Sequence, residues 1–498
     1  MSEAEIARAE GLMAEGRAED AVAITERLVA VPQPSHIALA GHASALKAAG
    51  RLDEALPFNR QAAERFASSP VAWHNLAATL GDLGRAKEAV AACETAFTKG
   101  LDAPETWSVY ARALQAAGDL AGAERAYRQS LMRQGGAVVV ATEFADLIWM
   151  LRGDVVEAES ILDLSFQKGG APTPLLLAKA NLFEASGDAA RATALLDAAS
   201  DQLTGEIPIH LSAAHSALRE GRLEAADDYI RRAEAVDPRS RGVIQTRAIL
   251  DLAAGRPAEA LARLKAALAV HPADQSLWGW AVVAARAVGD PLYTELSDYD
   301  AVVGAYDIVP PEGWSSLEGF LEDLRNALNS IHQYNRHPSA QSLRNGTQTM
   351  HLLSGSDDPV VQAFFRAVDA PIRAHMARIG QGDDALRRRN TGDYRIAGAW
   401  SVRLQPHGYH RDHFHPEGWL SSAFYVETPD AALETPEREG WIRFGQPPFA
   451  TQPPSPAAHF VKPKPGRLVL FPSYMWHGTV PFTTDEHRMT IAFDAVPK

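Results

Sequence analysis

Cysteine is almost missing from this chain. Its single Cys93 excludes an intramolecular disulfide and any cysteine-based zinc site. That usage suits a reducing compartment. Long apolar runs are missing too: no stretch reaches the roughly 18 residues of a membrane span. The first residues, Met1-Ser2-Glu3-Ala4-Glu5, lack the basic start and apolar run of a secretory signal. Positive charge is short, with 48 Lys and Arg against 62 Asp and Glu, for a net −14. Phosphate binding needs a basic face, so nucleic acid is not expected as the main partner. These absences together predict a cytoplasmic protein that uses neither membrane nor nucleic acid. What remains is ordinary globular material. The 498 residues, 46% hydrophobic and 22% charged, suffice for several domains with large cores.

The first part of the chain is periodic. Glycines stand at Gly16, Gly50, Gly84, Gly118, Gly153, Gly187, Gly221 and Gly255, in steps of 34 residues with one of 35. An alanine follows each by five positions: Ala21, Ala55, Ala89, Ala123, Ala158, Ala192, Ala226 and Ala260. A fixed period of this length marks a stacked array. Each glycine can end a helix in the left-handed region, and each alanine lets the next helix approach closely. Trp73 and Trp107, also 34 apart, are expected to fill equivalent positions in successive units. The pattern resembles the tetratricopeptide repeat family over residues 1–290. A ninth unit would start at Gly289, but Pro291 and Thr294 break the pattern. The resemblance implies an α-solenoid of helix-turn-helix repeats whose concave surface binds a protein or peptide. A dimerisation or purely structural scaffold is the other reading.

Residues 291–313, with Pro310-Pro311, read as a linker. Ser315-Ser316-Leu317-Glu318 then reads as a capping box ahead of an amphipathic helix with Trp314, Leu317, Leu321, Leu324 and Leu328 on one side. Asp357-Asp358-Pro359 opens another helix, which Pro371 is expected to restart or kink and Gly380 to close. The helices of residues 314–380 are expected to buttress a sheet. Asn345-Gly346-Thr347-Gln348-Thr349 looks like a turn entering a strand. His332, His337 and His351 have no metal-type neighbours and read as surface or core residues.

From 395 to 498 the periodicity becomes two. Candidate strands are Ala399–Leu404, Leu420–Glu427, Trp441–Phe444, Arg467–Phe471 and Met489–Asp494. Many short strands without intervening helices predict a sandwich or barrel. The chemistry sits in His410-Arg411-Asp412-His413-Phe414-His415. Residues i and i+2 of a strand face one side, so His413 and His415 can point inward together. His410 and Asp412 form a second pair of opposite parity. His477, after Leu468–Phe471, supplies a third ligand from a distant strand. Three protein ligands on one face leave open positions for a co-substrate and O2, the logic of non-haem Fe(II) oxygenases. Arg488 could grip the far carboxylate of a metal-bound acid, and Thr490 shares its face. His407, His459 and His487 read as surface residues. Trp419 and Trp476 read equally as core or as pocket lining.

Residues 398–494 resemble the double-stranded β-helix of the Fe(II)/2-oxoglutarate oxygenases. The matching segments are His413-Phe414-His415-Pro416, Leu420-Ser421-Ser422-Ala423-Phe424-Tyr425-Val426, Leu470-Phe471-Pro472-Ser473-Tyr474-Met475-Trp476-His477 and Arg488-Met489-Thr490-Ile491-Ala492-Phe493. The resemblance implies Fe(II) at His413, His415 and His477, and 2-oxoglutarate at Arg488, with Tyr425 and Thr490 as further contacts. The commoner triad of that superfamily has a carboxylate in the middle, which this chain offers as His410-x-Asp412. The Pro416 and Leu420-Ser421 context favours His413 and His415. The expected whole is a multidomain α + β protein: a TPR-like α-solenoid followed by a double-stranded β-helix (jelly-roll) with buttressing helices. The expected activity is that of a 2-oxoglutarate-dependent dioxygenase, an oxidoreductase hydroxylating a polypeptide recruited by the repeats. The alternatives are a small-molecule substrate, a scaffold or adaptor with an inactive or sensory domain, and a zinc hydrolase on a cupin-like barrel.

Overall fold

A computed structural model describes residues 2–350 and 352–498. The expectation for His351 lies outside the described residues. Among the described residues, no helix is long and apolar enough to cross a membrane. The chain divides into two compact units, one of residues 1–144 with 167–170, the other of 145–166 with 171–498.

The repeats form as the glycine and alanine registers require. All eight alanines are fully buried, at 0% exposure. Gly118 shows the junction. Its φ of 87° is left-handed, and its N–H donates to the carbonyls of Leu114 and Gln115 at the end of the helix Pro104–Ala117. Asp119 then caps the helix Leu120–Arg133 by accepting from the Gly122 N–H at 2.8 Å. Trp73 and Trp107 do take equivalent positions. Both are half-buried, and each indole N–H reaches back to the loop before its own helix, to the Ala67 carbonyl and to Asp102. In the second unit Trp278 repeats the arrangement on the Pro272 carbonyl. The repeat pattern ends with the helix Gln275–Val288, capped by Gly289 at φ 69°.

The segment read as a linker is ordered. Residues 291–313 contain the helices Pro291–Leu296 and Tyr299–Val302 and the strand β1 (Gly304–Asp307). Loss of the alanine period marked only the end of the repeats. A four-residue edge strand carries too little pattern to announce itself.

The remaining strands are β2 (Leu343–Gln348), β3 (Tyr394–His410), β4 (Leu420–Glu427), β5 (Ile442–Phe444), β6 (His459–Val461), β7 (Arg467–Pro472), β8 (His477–Thr479) and β9 (Arg488–Pro497). They form a six-stranded sheet, β1-β7-β4-β9-β3-β2, and a three-stranded sheet, β6-β5-β8. All pairings are antiparallel. The helix Leu317–Ile331 buries Phe320, Leu321, Leu324 and Leu328. Its cap is Ser316, accepting from Gly319, rather than the expected Ser315–Glu318 box. The helix Pro359–Ile379 starts at the Asp358 cap and ends at Gly380 as expected. It neither restarts nor breaks at Pro371, because Phe364, Val368, Ile372 and Met376 on either side are buried in one shared core. Phe364 meets Phe424 of β4 at 4.8 Å, which seats this helix on the outer face of the large sheet.

Candidate functional site

β3 ends at His410, paired with Leu343 of β2. The chain then bends, and His413 forms a single bridge with His477, each N–H donating to the other's carbonyl at 2.9 Å. Two residues on, the His415 N–H donates to the Ser473 carbonyl. These bonds lay His413 and His415 beside the start of β8. One ring nitrogen from each of His413, His415 and His477 then falls within 4.8 Å of the others.

Each of these rings is oriented through Nδ1. In His413 it lies 2.8 Å from the Arg411 carbonyl, and in His477 3.0 Å from the Met475 carbonyl. A carbonyl only accepts, so both rings carry their proton on Nδ1 and present an Nε2 lone pair. In His415, Nδ1 lies 2.7 and 2.8 Å from the two oxygens of Asp494. Asp494 also accepts from the Ser421 hydroxyl, which meets Ser473 at 2.8 Å. A histidine held by a carboxylate in this way is a common device for orienting a metal ligand. Burial, then the His415 ring, pushes the His413 pKa down to about 3. Burial and the neighbouring histidines hold His477 well below its ordinary value. Neutral imidazole is the form that binds metal.

The second sequence pair parts company. His410 lines the same pocket, its ring 5.7 Å from that of His413 and its Nδ1 3.3 Å from the Ser342 hydroxyl, but it is outside the convergent three. Burial keeps it neutral. Asp412 points elsewhere, held by Arg443 at 2.9 and 2.7 Å and by Gln446 at 3.2 Å. Parity does not separate His410 from His413 because the strand stops between them.

Arg488, the first residue of β9, is 3% exposed. Its guanidinium lies 4.9 Å over the Tyr425 ring. Among the described residues, its Nε and the Tyr425 hydroxyl are buried without a hydrogen-bond partner. A buried cation with donors to spare suits an anion. Thr490 lines the pocket beside it, with Trp400, Val402, Ile442 and Phe471 as apolar walls. The pocket's space for water-sized molecules is about 50 Å³.

Two members escaped the sequence reading. Trp400 stacks on His415 at 5.6 Å, with no motif to mark it. Asp494 had a signal: on β9 it continues the Arg488, Thr490, Ala492 alternation. Trp419 and Trp476 are core residues rather than pocket lining. The Trp419 indole donates to the Leu386 carbonyl, and that of Trp476 to the Gly279 carbonyl. His332 is a core residue between Thr347 and Ser401, and His337 is buried. His407 and His487 are exposed, whereas His459 is half-buried and stacked on Tyr299 at 5.2 Å.

The last repeats abut this site. Trp476 packs on Trp280 at 4.8 Å and on Phe414 at 4.6 Å. Gly279 leaves room for the Tyr474 carbonyl, which a Cβ there would meet at 3.0 Å. The loop after β5 also lies on the repeats. Phe449 faces Trp280 at 6.0 Å and His215 at 5.6 Å, and the Gln452 N–H donates to the Leu252 carbonyl.

Family models match two parts of the chain. Residues 398–494 match a family model described as "Putative 2OG-Fe(II) oxygenase". Residues 70–98 and 104–129 match models described as "Tetratricopeptide repeat". The chain therefore carries tetratricopeptide repeats and a C-terminal domain of that oxygenase description. No curated protein matches it. One similar solved structure is described as "Functional Characterization of Pseudomonas Aeruginosa pilF". It is 20% identical over 42% of this chain and 94% of that one, with a TM-score of 0.34. A tetratricopeptide repeat protein from Parabacteroides merdae is 17% identical over 50% of this chain and 98% of that one, with a TM-score of 0.35.

Proposed function

We propose that the C-terminal domain is an Fe(II)- and 2-oxoglutarate-dependent dioxygenase that hydroxylates a polypeptide. One observation carries the reading: three histidines, each oriented through Nδ1, converge in the pocket where the buried Arg488 has no anionic partner among the described residues. His413, His415 and His477 would hold the iron, and the donor set fits it. Bound iron would supply O2 activation coupled to conversion of 2-oxoglutarate to succinate and CO2.

This chain's residues supply the rest. Arg488 binds the far carboxylate of 2-oxoglutarate, and Tyr425 and Thr490 offer it hydroxyls. Trp400, Val402, Ile442 and Phe471 exclude water from the pocket. The three ligands are neutral, so no carboxylate offsets the ion's charge directly. Asp494, behind His415, is the negative group that touches a ligand. The repeats support a polypeptide substrate, because stacked repeats present extended binding surfaces.

The test is succinate formation from 2-oxoglutarate, with and without Fe(II) and O2, in the native chain and in His477→Ala. Turnover that needs all three and vanishes in the variant supports the reading. A set of three histidines also suits zinc, so a zinc hydrolase is the competing reading. Full activity without O2 and 2-oxoglutarate would establish it instead.

A further inference from the structure

A second cavity borders β2. Its space for water-sized molecules is about 410 Å³. The walls come from Trp149 and Gly153, from Ser186 and Gly187 at the end of the helix Pro172–Ser186, from Arg336 and His337, and from Arg344. The loop carrying Arg336 is tied down. The Asn335 and Arg336 N–H groups both donate to the Met150 carbonyl, Asn335 Nδ2 donates to the Leu151 carbonyl, and the Trp149 indole donates to the His337 carbonyl. The Met150 and Leu151 carbonyls at the end of the helix Val138–Arg152 are thus occupied. A β-bulge at Asn345, with φ 51°, sets Arg344, Asn345 and Gly346 all against the cavity.

The charge here opposes that of the whole chain. Four arginines gather: Arg219, Arg336, Arg344 and Arg411. Glu184 is the carboxylate among them, and it is already shared by Arg219 and Arg411. Among the described residues, no carboxylate pairs with Arg336 or Arg344. Arg344 gives Nη1 to the Gln341 and Leu343 carbonyls, and its buried Nε, like the buried Nε2 of His337, has no hydrogen-bond partner among the described residues. Burial, then Arg344, Arg411 and Arg336, pushes the His337 pKa down to about 4, which marks three cations converging on it. Burial and Arg411 push Arg344 itself down to about 10. An anion would relieve both the desolvation and the repulsion.

We infer that this cavity is a subsite for carboxylate side chains of an acidic polypeptide segment. Two features favour a peptide over a free small anion. The cavity sits between helices of consecutive repeats, where a solenoid offers a continuous groove for an extended chain. It also shares a strand with the catalytic pocket: Arg344 neighbours Leu343, the β2 partner of pocket-lining His410. That the bound segment is a substrate rests on the oxygenase reading above, but its binding does not.

The experiment uses the full chain without metal and a fluorescent hexaglutamate peptide, read by anisotropy at low salt. Binding is expected, weakening as salt rises. Arg336→Gln, on an exposed side chain, and the Arg336→Gln/Arg344→Gln pair should weaken it, the pair by at least about tenfold. His477→Ala should bind as the native chain does. Equal binding of a neutral Gly-Ser peptide, or unchanged binding in the pair, overturns the inference. So does a preference for inorganic phosphate or for single-stranded oligonucleotide over the peptide. Peptide binding without succinate formation sinks only the oxygenase reading, and turnover without peptide binding sinks only this one.

Discussion

Arg443 takes both oxygens of Asp412, Nε to Oδ1 at 2.9 Å and Nη2 to Oδ2 at 2.7 Å. Burial holds the Asp412 carboxyl above its ordinary value, and Arg443 offsets only part of that. The pair therefore supports the loop that carries the histidines. Asp412→Asn should keep stoichiometric metal binding while costing about 3 kcal/mol of stability, because Arg443 loses its partner in a buried setting. His415→Ala should do the reverse. Metal titration and urea unfolding of the two variants check this. Loss of metal from Asp412→Asn would move the ligand set to His410 and Asp412.

Asp494 offers a subtler test. In Asp494→Asn the fold should persist, but His415 loses the anion that fixes its ring. Metal affinity should fall by about 10- to 100-fold. A Co(II) titration followed by its visible bands reads this directly, and an unchanged dissociation constant would deny Asp494 a part in the centre.

Arg488→Met should leave metal binding alone and raise the KM for 2-oxoglutarate by at least about tenfold, the worth of one charge-assisted contact. Tyr425→Phe should act in the same direction and more weakly. If Arg488→Met changes kcat but not that KM, Arg488 serves something other than the co-substrate.

Two histidines outside the pocket make stability depend on pH. His337 is pushed down to about 4 and His375 to about 3, both chiefly by burial. The unfolded chain binds protons at these residues near pH 6.5, whereas the folded chain does not. Their contribution is thus complete above pH 6.5 and is lost as pH falls toward 4. At pH 5 each should cost roughly 2 kcal/mol. Urea midpoints at pH 7 and 5 in chelator check the sign, and His375→Gln should shrink the difference. A midpoint that rises on acidification would contradict it.

Much of this was legible in the residues. The repeats announce themselves because one backbone requirement, a left-handed turn, recurs at Gly118 and its counterparts with an alanine at fixed distance. All five expected strands exist, β4 and β9 as long apolar-rich elements and β5 as three residues marked by Trp441 and Phe444. The short strands β1, β6 and β8 did not show, since so few residues carry little pattern. Within the site, His413, His415, His477 and Arg488 were visible by motif. The fates of His410 and Asp412 were not, because they turn on where β3 stops. That point is set by pairing with β2 seventy residues away, and local spacing is silent about it. Trp400 was invisible for a similar reason: its neighbour His415 lies on another segment.

The seating of Trp476 on the Gly279 carbonyl has a bearing on how such a chain can change its length. A solenoid ordinarily tolerates gain or loss of a whole repeat, since each unit contacts only its neighbours. Here the helices Ile207–Arg219, Arg241–Ala253 and Gln275–Val288 each touch residues of the C-terminal half, through His215, Leu252 and Gly279. Duplicating one unit between Arg219 and Gln275 would carry Gly279 out of reach of the indole that stands next to His477. The helix Val138–Arg152 is tied to Asn335 and His337 as well, so a whole unit can be gained or lost freely only upstream of it.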